Sequence, residues 1–467
     1  MRRFLPLLAL LAACDDNKTP EDTGEAKTPS AFRWSEEAGS LALNKALNRI
    51  EMERSDVGEW DTRTVGARGG EGTRRALESL GYAITDAPSP AAPAMDLADG
   101  ELFRGDLHRQ RPAGPLRAGS TDDNAAFDAY QTFLTTWYGR ADLDAQIQKL
   151  HVDGRRTIQA LTPQGAPIPG ARVSIVDPTS DRLLWTARTY GDGRVPFYPG
   201  LFDAQTDAPE GGWTVQVEAG GVFETARWDG KRELDVVVDR DHLDRTVSVD
   251  VCFIIDTTGS MSDEIARVKQ TLLSVTEKLR AEANQEVNLR YGAVLYRDIG
   301  DQYLTQKHSF TGDIASFDQA LQGIAAGGGG DGPESLNQGL AVAMGDMAWR
   351  PGAAKVAFLI ADAPPHMDYQ EDIPYGRSAL AAIHNGIRVH TVAASGLDDR
   401  GSLVFRQVAQ LTRGKFIFIE YGSTAAAAAD HGVTGPVASN NLDAILYEQI
   451  QAEIVGWGRE TDPVAKR

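Results

Sequence analysis

The sequence has 467 residues, too many for one ordinary core, and 42% of them are hydrophobic, as expected of a globular protein. Its 66 Asp and Glu against 47 Lys and Arg give a formal charge of −19. The excess is spread along the chain as an acidic, soluble surface and excludes nucleic acid as a partner, since phosphates demand basic patches.

Arg2 and Arg3 precede FLPLLALLAA, a charged start followed by a short apolar stretch of the kind that directs export. That run is too short to span a bilayer. It ends in LAAC, which resembles the bacterial lipobox, where the cysteine is acylated. The resemblance implies a signal peptide over 1–13, lipidation of Cys14, and a protein held to a membrane of the bacterial cell envelope. Asp15 points to the periplasmic side of the inner membrane. Cys252 is the other cysteine, inside an apolar run, and reads as a small buried hydrophobe, so no disulfide framework is available. No other run approaches 18 apolar residues, which predicts an anchored protein rather than a spanning one.

Residues 14–33 form a polar tether that cannot support a core. Residues 34–150 read as a small helical region: Leu43, Leu47 and Ile50 share one helical face, and Phe127, Tyr130, Leu134 and Trp137 form a second stripe, read as core. Between them, 86–122 is rich in Pro, Ala, Gly and Asp and reads as linker. The acid pairs Asp122–Asp123 and Asp398–Asp399 read as solvated turns.

Over 151–245 the pattern changes to period two with Pro/Gly turns, which predicts an antiparallel β-sandwich carrying Val173 and Ile175 inward. The pair GAPIPGARVSI and TYGDGRVPF resembles the transthyretin-like sandwich of the carboxypeptidase regulatory type, which implies a spacer or interaction module. From 246 to 458, apolar runs such as VDVCFIID, VAFLIAD and VHTVAA alternate with helical stretches, one with Ile265, Val268, Leu272 and Leu279 on one face. This predicts an α/β, Rossmann-like domain with helices on both faces of a mostly parallel sheet, followed by a tail over 459–467. The chain is thus expected to be multidomain. In such sheets the functional crevice lies at the carboxyl ends of the strands, where Asp256 and Asp362 fall.

DTTGS places Asp256, Thr258 and Ser260 on one tight turn, all hard oxygen donors suited to Mg²⁺, Mn²⁺ or Ca²⁺. With LRYGAVLYRD, FTGDIASFDQAL, GGGGDGPESLNQGL and FLIADAPPH following in order, the stretch resembles the von Willebrand factor type A domain and its metal-ion-dependent adhesion site. The resemblance covers about 246–458. It implies a divalent cation, Mg²⁺ foremost, at the top of the sheet, and a protein ligand that can complete the coordination through an acidic side chain. It assigns Asp256, Thr258, Ser260 and Asp362 to the metal. Where the family usually has a threonine, this chain offers Glu334 or Asp331. An acid there tightens the cation and weakens attraction for an acidic ligand. The alternative role for either acid is to cap the helix starting near Ser335. His366 reads as a structural neighbour rather than a ligand. The glycine run is followed by no Gly-Lys-Ser/Thr, so no nucleotide is expected, and no catalytic motif marks an enzyme. The function expected is an envelope-anchored, metal-dependent adhesion or receptor module, or alternatively a scaffold for an envelope complex with a structural metal.

Overall fold

The computed structural model describes residues 116–140, 143, 146–202, 212–240, 247–282, 287–330 and 332–458, all within the compact unit Asp61–Arg467. The signal segment with Cys14, the tether, the helix expected over 34–60, Asp331 and the tail lie outside the described residues.

The described chain opens with β1 (Arg117–Thr121) and α1 (Phe127–Tyr138). Seven strands follow: β2 (Arg156–Leu161), β3 (Arg172–Val176), β4 (Leu183–Arg188), β5 (Arg194–Phe197), β6 (Trp213–Ala219), β7 (Val222–Trp228) and β8 (Glu233–Val237). The second half alternates: β9 (Val247–Asp256), α2 (Ser262–Glu282), β10 (Val287–Tyr296), β11 (Thr305–Thr311), α3 (Ile314–Gln322), α4 (Leu336–Gly345) and β12 (Ala354–Ala361). It continues through α5 (Tyr375–Asn385), β13 (Ile387–Ala393), α6 (Asp399–Leu411), β14 (Phe416–Ile419), α7 (Thr424–Asp430), β15 (Ala438–Asn441) and α8 (Leu442–Gly458).

Eight strands form one mixed sheet in the order β11-β10-β9-β12-β13-β14-β1-β15. The five central strands are parallel. The continuous apolar runs are explained by burial on both faces. In β9, Val249, Val251, Phe253 and Ile255 enter one core, under α2 and α8, while Cys252 and Ile254 enter the other, under α4, α5 and α6. The same alternation splits β12, with Val356, Phe358 and Ile360 on one side and Ala357 and Leu359 on the other.

β1 corrects the linker reading of 86–122. It runs antiparallel between β14 and β15, pairing Ala118 with both Ile419 and Asn440. RAGST carries no strand pattern; its place is dictated by its neighbours and by small side chains. A Cβ on Gly119 would come within 2.4 Å of the Phe418 ring. Asp123 is a second correction. Instead of lying in a solvated turn it is buried, accepting from Arg406 Nε at 2.9 Å and Nη2 at 2.7 Å. The Arg406 guanidinium also lies over the Phe133 ring at 3.8 Å, tying α1 to α6. The α1 stripe is core as expected, with Tyr130, Leu134 and Trp137 buried.

β2 to β8 form two smaller sheets, β4-β3-β6-β7 and β5-β2-β8. The first is antiparallel throughout; in the second β2 and β8 run parallel, a departure from a wholly antiparallel sandwich. The sheets face each other through aromatics, with Phe197 centred 5.5 Å from Trp213 and 5.3 Å from Trp185. They also join the large sheet. Glu453 of α8 accepts from the Gly191 N–H at 2.9 Å and from Arg388 Nε at 2.6 Å, and the His384 ring on α5 bonds the Thr186 carbonyl.

Candidate functional site

At the carboxyl end of β9 the chain turns sharply, and Asp256 folds back on its own loop. Its Oδ1 accepts from the Thr258 N–H at 2.8 Å and from the Thr258 hydroxyl at 2.7 Å. Thr258 Oγ1 lies 3.2 Å from Ser260 Oγ, which donates to Asp362 Oδ1 at 3.0 Å. The strand ends of β9 and β12 are neighbours in the sheet, so four of the six expected site residues form one chain of oxygens.

Glu334 closes the site from the third loop. Its main chain is zipped to the β12 loop, donating N–H to Pro364 O at 2.9 Å and accepting from the His366 N–H at 3.1 Å. The side chain turns towards Thr258 and Asp256, away from the capping role; the N-cap of α4 is Ser335, without a side-chain cap. The glycine run makes this approach possible. Gly328 O accepts from the Gly259 N–H at 3.0 Å, and Gly329, at φ 71°, passes so close that a Cβ there would stand 2.8 Å from Glu334 Oε1.

Burial sets the electrostatics. Asp256 is pushed up to about 7, first by desolvation, against the two Thr258 hydrogen bonds. Glu334 is pushed up to about 8 by desolvation and then by Asp256 and Asp298, and Asp362 is also raised by burial. Asp256 Oδ2 and Glu334 Oε2 are buried and have no hydrogen-bond partner. The Tyr296 hydroxyl lies near Asp256 but outside hydrogen-bond geometry. Hydroxyls stand between the carboxylates, and no three Asp, Glu, His or Cys side chains form a metal-holding cluster among the described residues. The orphaned oxygens, together with hard hydroxyl and carboxylate donors, nonetheless suit a divalent cation.

Three groups escaped the sequence reading. Glu264, in the first turn of α2, is buried beside Asp362 and accepts from the Ser395 N–H at 3.1 Å and the Tyr421 hydroxyl at 2.7 Å. Asp298 accepts from Ser335 Oγ at 2.8 Å and the Tyr369 hydroxyl at 3.0 Å. Asp301 accepts from the Gly329 N–H at 2.9 Å, holding the glycine run. Each follows the end of a parallel strand, the one sequence signal available. His366 is a neighbour, as expected, bonding Asp368 at 2.8 Å and stacking on Tyr369 at 4.0 Å.

A mixed sheet clad by helices, with a hydroxyl–carboxylate turn at its carboxyl end, defines the class, and residues 250–373 match the von Willebrand factor A domain. The chain therefore carries such a domain, of a type that generally mediates protein–protein interaction or adhesion and often binds a divalent metal. It is 33% identical over 119 residues to the alpha-protein kinase vwkA of Dictyostelium discoideum, covering 25% of this chain and 19% of that protein. It is 26% identical over 129 residues to a putative ariadne-like RING finger protein of Acanthamoeba polyphaga mimivirus, covering 27% and 12%. The chain thus spans under a fifth of either relative's length. Among solved structures, conserved hypothetical protein BatB from Bacteroides thetaiotaomicron is 16% identical at a TM-score of 0.28, covering 40% of this chain and 95% of that one. The pilus adhesin SpaC from Lactobacillus rhamnosus GG is 14% identical at 0.32, covering 52% and 32%.

Proposed function

We propose that this protein is a divalent-cation-dependent protein-binding module, held to the bacterial envelope by lipid on Cys14. The observation that carries the metal reading is the pair of buried, unpartnered oxygens, Asp256 Oδ2 and Glu334 Oε2, among hard oxygen donors. Unpaired carboxylate oxygens at such depth are costly and call for a compensating charge. Asp256, Thr258, Ser260, Glu334 and Asp362 would hold the ion, Mg²⁺ foremost, with Ca²⁺ and Mn²⁺ as competitors. The ion would supply a positive centre for a ligand oxygen; the chain's own groups orient that centre and exclude water behind it. The function is binding rather than catalysis. The export leader and LAAC support the anchor, and the two small sheets, transthyretin-like in their turns, would serve as its spacer.

Calorimetric titration with Mg²⁺, Ca²⁺ and Mn²⁺ tests the site. Wild type should take up an ion, and Asp256→Ala and Asp362→Ala should not, with unchanged circular dichroism. Absence of uptake by wild type would overturn the reading. Separately, Cys14→Ala should release the protein from membranes; a wild type that is soluble after export and carries no lipid by mass spectrometry would refute the anchor.

A further inference from the structure

The rim of the site is more acidic than a cation can balance. Among the described residues, loops 256–264, 297–304, 323–335 and 362–374 carry three, two, one and four Asp or Glu, ten in all, against one arginine, one histidine and no lysine. That arginine faces inward: Arg297 is buried, donates to Ala325 O at 2.9 Å and covers the Tyr303 ring at 4.5 Å. A divalent ion among Asp256, Glu334 and Asp362 leaves one negative charge in surplus when all three are ionised. Asp368, whose side chain is 77% exposed, and exposed Glu371 add to it.

Apolar surface lies beside this charge. Ile299 is 61% exposed and Ile373 52%, two of the six large apolar side chains exposed among the described residues. They sit on the two loops that Asp298 and Tyr369 bond together, and Ile373 follows Asp372, which accepts from Gln338 at 2.6 Å. Glu334, bonded through its main chain to the 362–374 loop and only 3% exposed, presents an unpartnered Oε2 to the site. Exposed carboxylates on the same pair of loops as two exposed isoleucines match a partner of opposite charge and similar apolarity.

We propose that this rim binds a polypeptide segment presenting a lysine or arginine beside an apolar side chain, and not one presenting a carboxylate. The inference rests on the protein-binding reading above but not on its metal. An approaching carboxylate meets a net negative field over the whole rim, within a screening length of about 8 Å at physiological salt, whereas a cation is drawn in.

The test uses the full chain, with saturating Mg²⁺ and with EDTA, and two fluorescent peptides in one Gly/Ser frame. One carries lysines beside leucines; the other has glutamate at each lysine. Anisotropy should show the lysine peptide binding at least about 10-fold tighter, weakening as salt rises. Asp368→Asn with Glu371→Gln, and separately Ile299→Ser with Ile373→Ser, should each weaken it several-fold while leaving calorimetric Mg²⁺ affinity unchanged. Tighter or equal binding of the glutamate peptide overturns the proposal, as does lysine-peptide binding indifferent to both double variants. Failure of the metal reading shows differently, as no Mg²⁺ heat with lysine-peptide binding retained.

Discussion

Glu334→Gln removes a carboxylate from the site while keeping its shape. Without metal, Glu334 in the fold holds its proton up to about 8, against an ordinary 4.5. Between those values the folded protein keeps a proton that the unfolded chain has released. The contribution to stability is therefore complete below 4.5 and is lost as pH rises through about 8. At about 1.36 kcal/mol per pH unit the ceiling is roughly 5 kcal/mol, and coupling to Asp256 lowers it because the two facing carboxylates titrate together. A bound cation needs the ionised forms, so its stabilisation grows over the same window. Melting temperatures should be taken at about pH 6 and about pH 8.5, with Mg²⁺ and with EDTA. In EDTA, wild type should melt several degrees lower at the higher pH, at roughly 2–4 °C per kcal/mol, and the gap to the Mg²⁺ sample should widen. Glu334→Gln should flatten the EDTA profile and shrink the gap. A flat wild-type profile in EDTA, or superimposable profiles for wild type and variant, would refute the reasoning.

Burial lowers His384 to about 4, so its contribution is present above 6.5 and lost as pH falls through about 4. His384→Gln should flatten the acid limb of a urea-denaturation series across that window, and parallel limbs would count against it. Arg406→Ala strands the buried Asp123 carboxylate and should cost about 3–5 kcal/mol, whereas changing both partners to apolar residues should cost less, as equilibrium unfolding can show. Gly414→Ala would place a Cβ 1.8 Å from the Val389 backbone carbonyl, which no side-chain rotation can relieve, and should lower the melting temperature by several degrees; a loss below one degree would show that the loop yields.

The parallel half was legible because its signals are local. Burial on both faces leaves an unbroken apolar run in β9, and DTTGS carries its donors within five residues. Glu334 was one of two candidates, and its orientation depends on the glycine run passing Thr258, which spacing alone does not report. The misreadings share a cause. Asp123 meets Arg406 across 283 residues, and β1 owes its place to β14 and β15, so neither carries its reason in its own neighbourhood. Glu264 was hidden in another way: an acid in a first helical turn looks like ordinary dipole compensation until its strand-end neighbours are seen.

The position of β1 also bears on how the chain survives its own synthesis. β14 reads FIFI, four buried apolar residues whose free edge would be a template for pairing between chains. β1 covers that edge and itself pairs with β15, where the hydrogen bond from Arg117 to Ser439 closes a loop of 322 residues. So distant a closure is a slow step. Because β1 precedes β14 in the chain, the cover already exists when the hazardous strand emerges, and the sheet waits only for β15. Removing residues up to 122 would take away the only strand that β15 pairs with among the described residues and uncover the β14 edge, so the shortened protein should self-associate rather than merely lose stability.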